Sequence, residues 1–486
     1  MRRSWARWAS LLLAVATVGN VAAAAEVTDD ASAFDKDNPF DFRFRVGYDY
    51  SFKQASIKRE HEGPGQDQVL LYKDLLYQRQ IHSMSLRAEA GIYHDLAVSI
   101  ELPLVLAYSE QWKYDQSLGS ECVYTGSAAN CVNSGNSSTT NSSVTDDASD
   151  MDPTHYIVPN NGFDAQNIGA NGMANGFAPG SDMVFRGPKR GGSGADLLDT
   201  LNFGLTWGVL SQKRDESKPT WIVGLEYKLS IGNVMMFDRA RPNANHGVSD
   251  GLDHLVARTA VSHRFHWVDP YVVFWFDYPF VRRGDTLFID YGPQEKNSQP
   301  QMSAGTVFGL EGVPYEKNNG DYFIAVDLNG RISAHFDGRG YSEAWELFAS
   351  SPALGCETNP SSVNYNKACD PTIAPPNAYQ PRADGSPVPY TGLTVIENYI
   401  TTGLELAVRG QISRYFRMRA AFRWDHDQSH LITTDDVGRP NTSGGRVSQP
   451  DEFNPAFRAI IDEPGRRYRV DNVDIFSVGV TAQAMF

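Results

Sequence analysis

Charged residues recur at every second position in several apolar stretches of this chain, and they are its main candidates for chemistry. In FRFRVGYDYSF, Phe42 to Phe52, the residues Arg43, Arg45 and Asp49 alternate with aromatic and aliphatic side chains. Arg417, Arg419, Arg423 and Asp425 do the same in FRMRAAFRWDHD. Arg87, Glu101, Glu226, Lys228, Asp327 and Arg331 hold equivalent positions elsewhere. Gathered on one surface, such a set would create a field for anions or polar solutes; paired with one another, its members would only stabilise an interior. The spacing alone leaves both readings open.

Other motifs carry less. Ser333-Ala334-His335 puts a hydroxyl and an imidazole two residues apart, but nucleophilic catalysis needs a third group to orient the base, and none is evident. The acidic run TDDASDMD, 145–152, lacks the glycine and terminal glutamate of an EF-hand loop, so it reads as solvated loop rather than a calcium site. GPKRGGSGAD follows a loop and precedes a strand pattern instead of a helix, unlike a phosphate-binding loop. The cysteines fall as two close pairs, Cys122 with Cys131 and Cys356 with Cys369. In an exported chain local disulfides are expected, and no C-x-x-C motif or zinc-type histidine pattern accompanies them. No catalytic, metal or cofactor-binding residue is assigned, no cofactor is expected, and the chain is not read as an enzyme.

Two-residue alternation is strand periodicity, because successive side chains leave a strand on opposite faces. It recurs in SMSLRAEAGIY, LAVSIELPLVLAY, LNFGLTWGV, WIVGLEYKLSI, LVARTAVSHRF, YVVFWFDYPF, MSAGTVFGLEG, YFIAVDLNGRISAHF, IENYITTGLELAVRGQI, FRMRAAFRWDHD and YRVDNVDIFSVGVTAQAMF. Connections alternate between short, as at His94-Asp95, and long, at about 109–194 and 337–392. Outer-membrane barrels are built this way, with long loops at the cell surface and tight turns in the periplasm. Tyr93, Trp207, Trp221, Trp267, Tyr322 and Phe416 beside the short turns, and Tyr108, Tyr278, Phe280, Phe336 and Trp424 near the other strand ends, predict two aromatic belts. The apolar faces then meet lipid, and the charged candidates line a wet lumen. The expected fold is all-β: a transmembrane antiparallel up-and-down β-barrel of about 12 strands with long extracellular loops.

The N-terminus, MRRSWARWASLLLAVATVGNVAAAAEV, has arginines, a short apolar run and small residues, the pattern of a signal peptide cut after Ala25. The apolar run is too short to span a bilayer. Residues 1–25 are thus expected to be removed, 26–41 to form a short periplasmic segment, and 42–486 to form a barrel in the bacterial outer membrane. The net charge of −15 argues against nucleic acid as a partner. Expected partners are outer-membrane lipid and lipopolysaccharide, the barrel assembly machinery and a small-molecule solute; the oligomeric state is not set.

The last strand stops at Phe486. A terminal aromatic there resembles the signal by which bacterial outer-membrane proteins are recognised by their assembly machinery. GSGADLLDTLNFGLTWGVL followed by PTWIVGLEYKLSIG resembles the glycine-aspartate strand and following hairpin of the meta-pathway phenol-degradation-like transporter family, distant relatives of the long-chain fatty-acid channels. Gly194 and Asp196 match, while Thr206-Trp207 stands where a basic-aromatic pair is usual. The resemblance implies an outer-membrane channel for passive uptake or efflux of small solutes, with hydrophobic or aromatic compounds as the substrate class; the charged lumen favours polar ones. The fatty-acid channels also carry an N-terminal plug, and the stretch between Ala25 and Phe42 is expected to be too short for one. Two further functions stay open. One is a surface-structural or adhesive barrel acting through its loops. The other is a barrel-embedded lipid hydrolase, for which Ser333 and His335 would have to face lipid, whereas the alternation turns both inward.

Overall fold

The computed structural model describes residues 25–34, 40–62, 69–115, 144, 157–159, 161–288, 295, 297–318, 320–355, 390–441, 445–447, 449 and 452–486. Both cysteine pairs and the acidic run 145–152 lie outside the described residues. Twelve long strands form an antiparallel barrel. They are β1 (Phe42–Glu62), β2 (Val69–Tyr93), β3 (Leu96–Tyr114), β4 (Thr200–Leu210), β5 (Thr220–Ser230) and β6 (Asp253–Ser262). They continue with β7 (Val268–Phe280), β8 (Ser303–Lys317), β9 (Tyr322–His335), β10 (Tyr399–Ser413), β11 (Phe416–Asp427) and β12 (Tyr468–Met485). Each pairs with its sequence neighbours, and β12 returns to β1 from Arg43↔Met485 to Arg59↔Tyr468. The seam is finished by the Phe42 N–H donating to the Phe486 carbonyl at 3.2 Å and the Phe486 N–H donating to the Phe42 carbonyl at 2.9 Å.

Closure is what a bilayer demands, since hydrocarbon offers no partner for a free strand edge. The outward faces fit it. Phe44, Val46 and Tyr48 on β1, Leu225 on β5, Phe274 and Phe276 on β7, and Leu328 on β9 are exposed, while Arg43 between Phe42 and Phe44 is buried. Exposed Tyr93, Trp207, Trp221, Trp267, Tyr322 and Phe416 ring the end bearing the short turns, as a membrane interface selects. Among the described residues no helix is long and apolar enough to cross a membrane.

The belt at the other end needs one correction. Tyr108 was expected to face out, but it is buried, with its hydroxyl on Glu110. The pairing runs Ser83↔Val105 and then His82↔Ala107, so Leu106 is an extra residue on β3. One inserted residue reverses every later side chain on the strand. The bulge lies just beyond Pro103, which has no N–H to give the ladder.

A tilted strand needs about 9–11 residues to cross a bilayer. The 11-residue β4 and β5 fit that length, whereas β1, β2 and β3, with 21, 25 and 19 residues, continue above it. The first half of β2, VLLYKDLLYQRQ, does not keep a clean two-residue alternation, so the pattern marks this strand only from Ser83 onward. The tall strands form a wall at the extracellular end. Inward Ile57, Leu75, Tyr77, Trp112, Tyr468 and Val470 pack there against loop residues that include Phe163, Phe185, Trp345 and Phe348.

The two faces should therefore respond differently to charge. Leu225→Arg or Val326→Arg is expected to cost about 2–4 kcal/mol, and Ser99→Gln under about 1 kcal/mol. Urea unfolding in lipid vesicles measures this; equal costs on both faces would contradict the orientation.

Candidate functional site

The lumen is the candidate site, and its most informative feature is the chain that crosses it. Residues 25–33 do not hang below the barrel. They pass across its periplasmic end, from the β1–β2 wall to the β6–β8 wall. At one side the Ala33 N–H donates to the Tyr93 carbonyl at 3.2 Å, and Ala31 N–H to Glu89 at 3.0 Å. Thr28 meets Ser262 through their hydroxyls at 2.7 Å. At the far side the Ala25 and Glu26 amides donate to Asp269 on β7 and Glu311 on β8, at 2.6 and 3.3 Å. A plug of this kind needs no domain, because it works through backbone amides and two carboxylates that find partners on a narrow wall.

Those carboxylates do the anchoring. Asp29 pairs with Arg417 at 2.7 Å, Arg43 at 3.2 Å and Lys213 at 3.5 Å. Glu26 pairs with Arg419 at 3.0 Å. Arg43 also holds Asp41 at 2.9 Å and donates to the Asp30 carbonyl at 2.8 Å; Arg258 donates to the Val27 carbonyl at 3.1 Å. Gly91 makes room for the crossing, since a Cβ there would come within 2.4 Å of the Ser32 backbone.

The remaining candidates lie on the inner wall and are mostly neutralised. Arg87 bridges Glu101 at 3.2 Å and Glu89 at 3.3 Å, with Glu226 at 4.0 Å. Lys228 faces Asp277 at 4.0 Å. Asp327 accepts from Tyr271 at 2.9 Å and from Asn329 at 2.9 Å. Arg331 reaches Glu405 at 3.9 Å, where Arg419 also binds. Arg423 pairs with Asp425 at 2.9 Å, and Arg45 donates to Gln483 at 2.9 Å. Asp49 is half-buried on β1, its strand partner on β12 being Gly479. A cavity of about 50 Å³ between Arg87, Glu226 and Arg258 is room for a few waters, not for a solute.

The alternation marks most of the cations and leaves several of their partners unmarked. Glu89, Asp269, Glu311, Glu405 and Arg409 stand at alternating positions of recognisable strands and could have been found by extending the same rule. Glu26 and Asp29 lie outside any periodic segment, so nothing local marked them. Ser333 and His335 line the inner face as the alternation required, and the His335 ring stacks on Tyr399 at 4.4 Å instead of meeting a nucleophile.

The extracellular mouth is built differently. The segment holding Glu343 and the short helix Trp345–Phe348 packs against its inner wall. Glu343 binds Lys53 of β1 at 2.7 Å, and its carbonyl accepts from the Trp112 indole at 2.8 Å. Glu346 pairs with the buried Arg190 at 2.6 Å, and Arg190 also lies over the Trp345 ring. Burial opposes ionisation of Glu343, yet Lys53 and His430 hold its carboxyl well below the usual glutamate value.

No family model matches the chain, and no curated protein matches it. Among solved structures it is similar to an outer-membrane channel from Pseudomonas putida F1, at 8% identity and a TM-score of 0.34 over 91% of this chain and 95% of that one. A FadL homologue from Pseudomonas aeruginosa follows at 7% and 0.30, over 92% and 90%. The outer-membrane protease OmpT from Escherichia coli stands at 7% and 0.25, over 92% and 96%. At these identities and scores none of them bears on what this chain does.

Two outcomes follow from the geometry. Gly91→Val should push the crossing segment out, and Asp29→Asn should weaken it by about 1–3 kcal/mol, between the exposed and buried limits for ion pairs. Protease cleavage near residue 30 in the folded barrel should rise in both variants, and unchanged protection would contradict the contacts. At the mouth, a carboxyl with a depressed folded pKa stabilises fully above its ordinary value of 4.5 and loses that contribution as pH falls through the folded value. Trp345 fluorescence should thus stay constant through the ordinary glutamate range and shift only at pH well below it, and Glu343→Gln should abolish that shift; an acid shift unchanged in the variant would show that Glu343 does not hold the mouth.

Proposed function

We propose that the chain is a gated outer-membrane channel for small solutes, closed in the conformation described here. The observation that carries this reading is the crossing segment itself. It blocks the periplasmic end through ion pairs and backbone hydrogen bonds to the wall, contacts that can be exchanged for water without unfolding the barrel. Hydrophobic or aromatic compounds are the favoured solutes. Tyr77, Trp112, Phe163 and Phe185 form a buried apolar cluster at the mouth that opening would expose to an apolar solute, and the resemblance of the β4–β5 hairpin to the phenol-degradation channels points the same way. The charged middle of the lumen, with its cations matched by acids, would keep the passage hydrated without binding ions tightly.

Planar-bilayer recording tests this on the full mature chain and on a variant lacking residues 26–33. The full chain should show small or brief openings, and the deletion larger, ohmic steps. Removing Glu26 and Asp29 also uncovers Arg43, Arg417 and Arg419, so the variant should prefer anions, most strongly at low salt. A full chain that stands open would end the gating idea. Silence from both would favour a barrel that works through its surface loops.

A further inference from the structure

Asp269 and Glu311 occupy one rung of the sheet, directly opposite each other on β7 and β8. Both are buried, at 1% and 3% exposure. Like charges so placed repel, and burial makes the repulsion worse. Arg409 binds one oxygen of Glu311. Among the described residues, however, no lysine or arginine makes an ion pair with Asp269; Arg264, which is engaged with Glu316, acts on it only from farther off, so the rung lacks a second close cation.

What lies on the rung is the backbone at Ala25 and Glu26. The Ala25 nitrogen is 2.6 Å from Asp269 Oδ2, and the Glu26 nitrogen is 3.3 Å from Glu311 Oε2. In the uncut chain these are neutral amides. The leader pattern places the cut at this very point.

We propose that the Asp269–Glu311 rung is the receptor for the α-ammonium group that removal of the leader creates, and that this ion pair latches the crossing segment in the lumen. The step is a peptide hydrolysis by a signal peptidase. Water adds across the bond, the leader departs with the new carboxylate, and the mature chain keeps an amine that takes up a proton. Cutting after Ala25 frees the Glu26 nitrogen beside Glu311 and vacates the neighbouring Asp269 oxygen for the same group. Cutting one residue earlier puts the Ala25 ammonium directly on Asp269. In either case the half-compensated rung gains its second close cation from the chain itself, at the end of the segment farthest from β1. The segment then becomes a strap fixed at both ends, by Arg43 near the barrel's first strand and by the ammonium on the opposite wall. The inference is independent of what the channel carries, since it concerns only how the strap is held.

The test uses mature protein purified from outer membranes. N-terminal sequencing should give a chain beginning at Ala25 or Glu26; a start elsewhere overturns the proposal. An aldehyde reagent selective for α-amines then reports the state of that group at neutral pH. In the folded barrel it should react at least about tenfold more slowly than in urea-unfolded protein, because two carboxylates keep the amine protonated and covered. Asp269→Asn and Glu311→Gln, made singly and together, should restore most of the reactivity. Equal labelling of folded and unfolded wild-type protein would refute the latch without reliance on any variant. Protection that persists in the double variant, with folding verified by heat-modifiable mobility, would show that the segment is merely buried. Channel recordings do not enter, so failure here is separable from failure of the gating idea.

Discussion

Everything in this molecule follows from the need to satisfy every backbone hydrogen bond in a medium that supplies none. Closure of β12 onto β1 removes the last free edge, and the Phe42–Phe486 pair of hydrogen bonds completes it. Once the sheet is closed, alternation leaves no choice about the other face. Residues between the lipid-facing ones must point inward, so Arg43, Arg87, Asp327, Arg419 and their neighbours share a narrow enclosed volume. Their charges are then too close together and too poorly solvated to be left alone. The dense pairing of the inner wall is a consequence of closure, whatever passes through it.

That enclosed volume is sealed at its two ends by different physics. The periplasmic end is held by charge. Asp29 and Glu26 lie among Arg43, Arg417 and Arg419, with Arg258 and two wall carboxylates gripping the backbone. The extracellular end is held by apolar packing of Trp345 and Phe348 against Trp112, Tyr77 and Tyr468, with polar pins at Lys53–Glu343 and Arg190–Glu346. Salt and polar solutes compete with the first kind of seal and hardly touch the second. Apolar compounds do the reverse, since they can replace side-chain contacts that water cannot.

Particular residues show why the barrel was legible in the sequence and the strap was not. FRFRVGYDYSF announces its two faces because strand geometry repeats every two residues, and the same rule put Ser333 and His335 on the inner wall. It failed at Tyr108, where a single extra residue at Leu106 reverses the pattern without any strong local mark. It was silent on Glu26 and Asp29, whose positions depend on partners far along the chain, 388 residues away for Asp29 with Arg417. The short length of that segment is no guide, because length decides whether a plug has its own core and not whether it can block a narrow lumen. Most of the cations were legible and part of their compensation was not, since Glu26 and Asp29 arrive from outside the periodic strands.

The strap's energetics fit a gate better than a permanent wall. It buries little apolar surface of its own, so its hold rests on ion pairs of intermediate exposure. Such pairs contribute roughly 1 kcal/mol each. Several together reach a few kcal/mol, the range in which the alternative conformation of a two-state element is populated at about 0.1–10%. The barrel itself is far more stable, because releasing any one strand would strand a row of backbone groups in hydrocarbon. A weak crossing element inside a strong closed frame can therefore open while the frame stays whole. The arginines on the wall remain fixed to the strands when the strap leaves, so opening changes both the width and the charge of the passage at once.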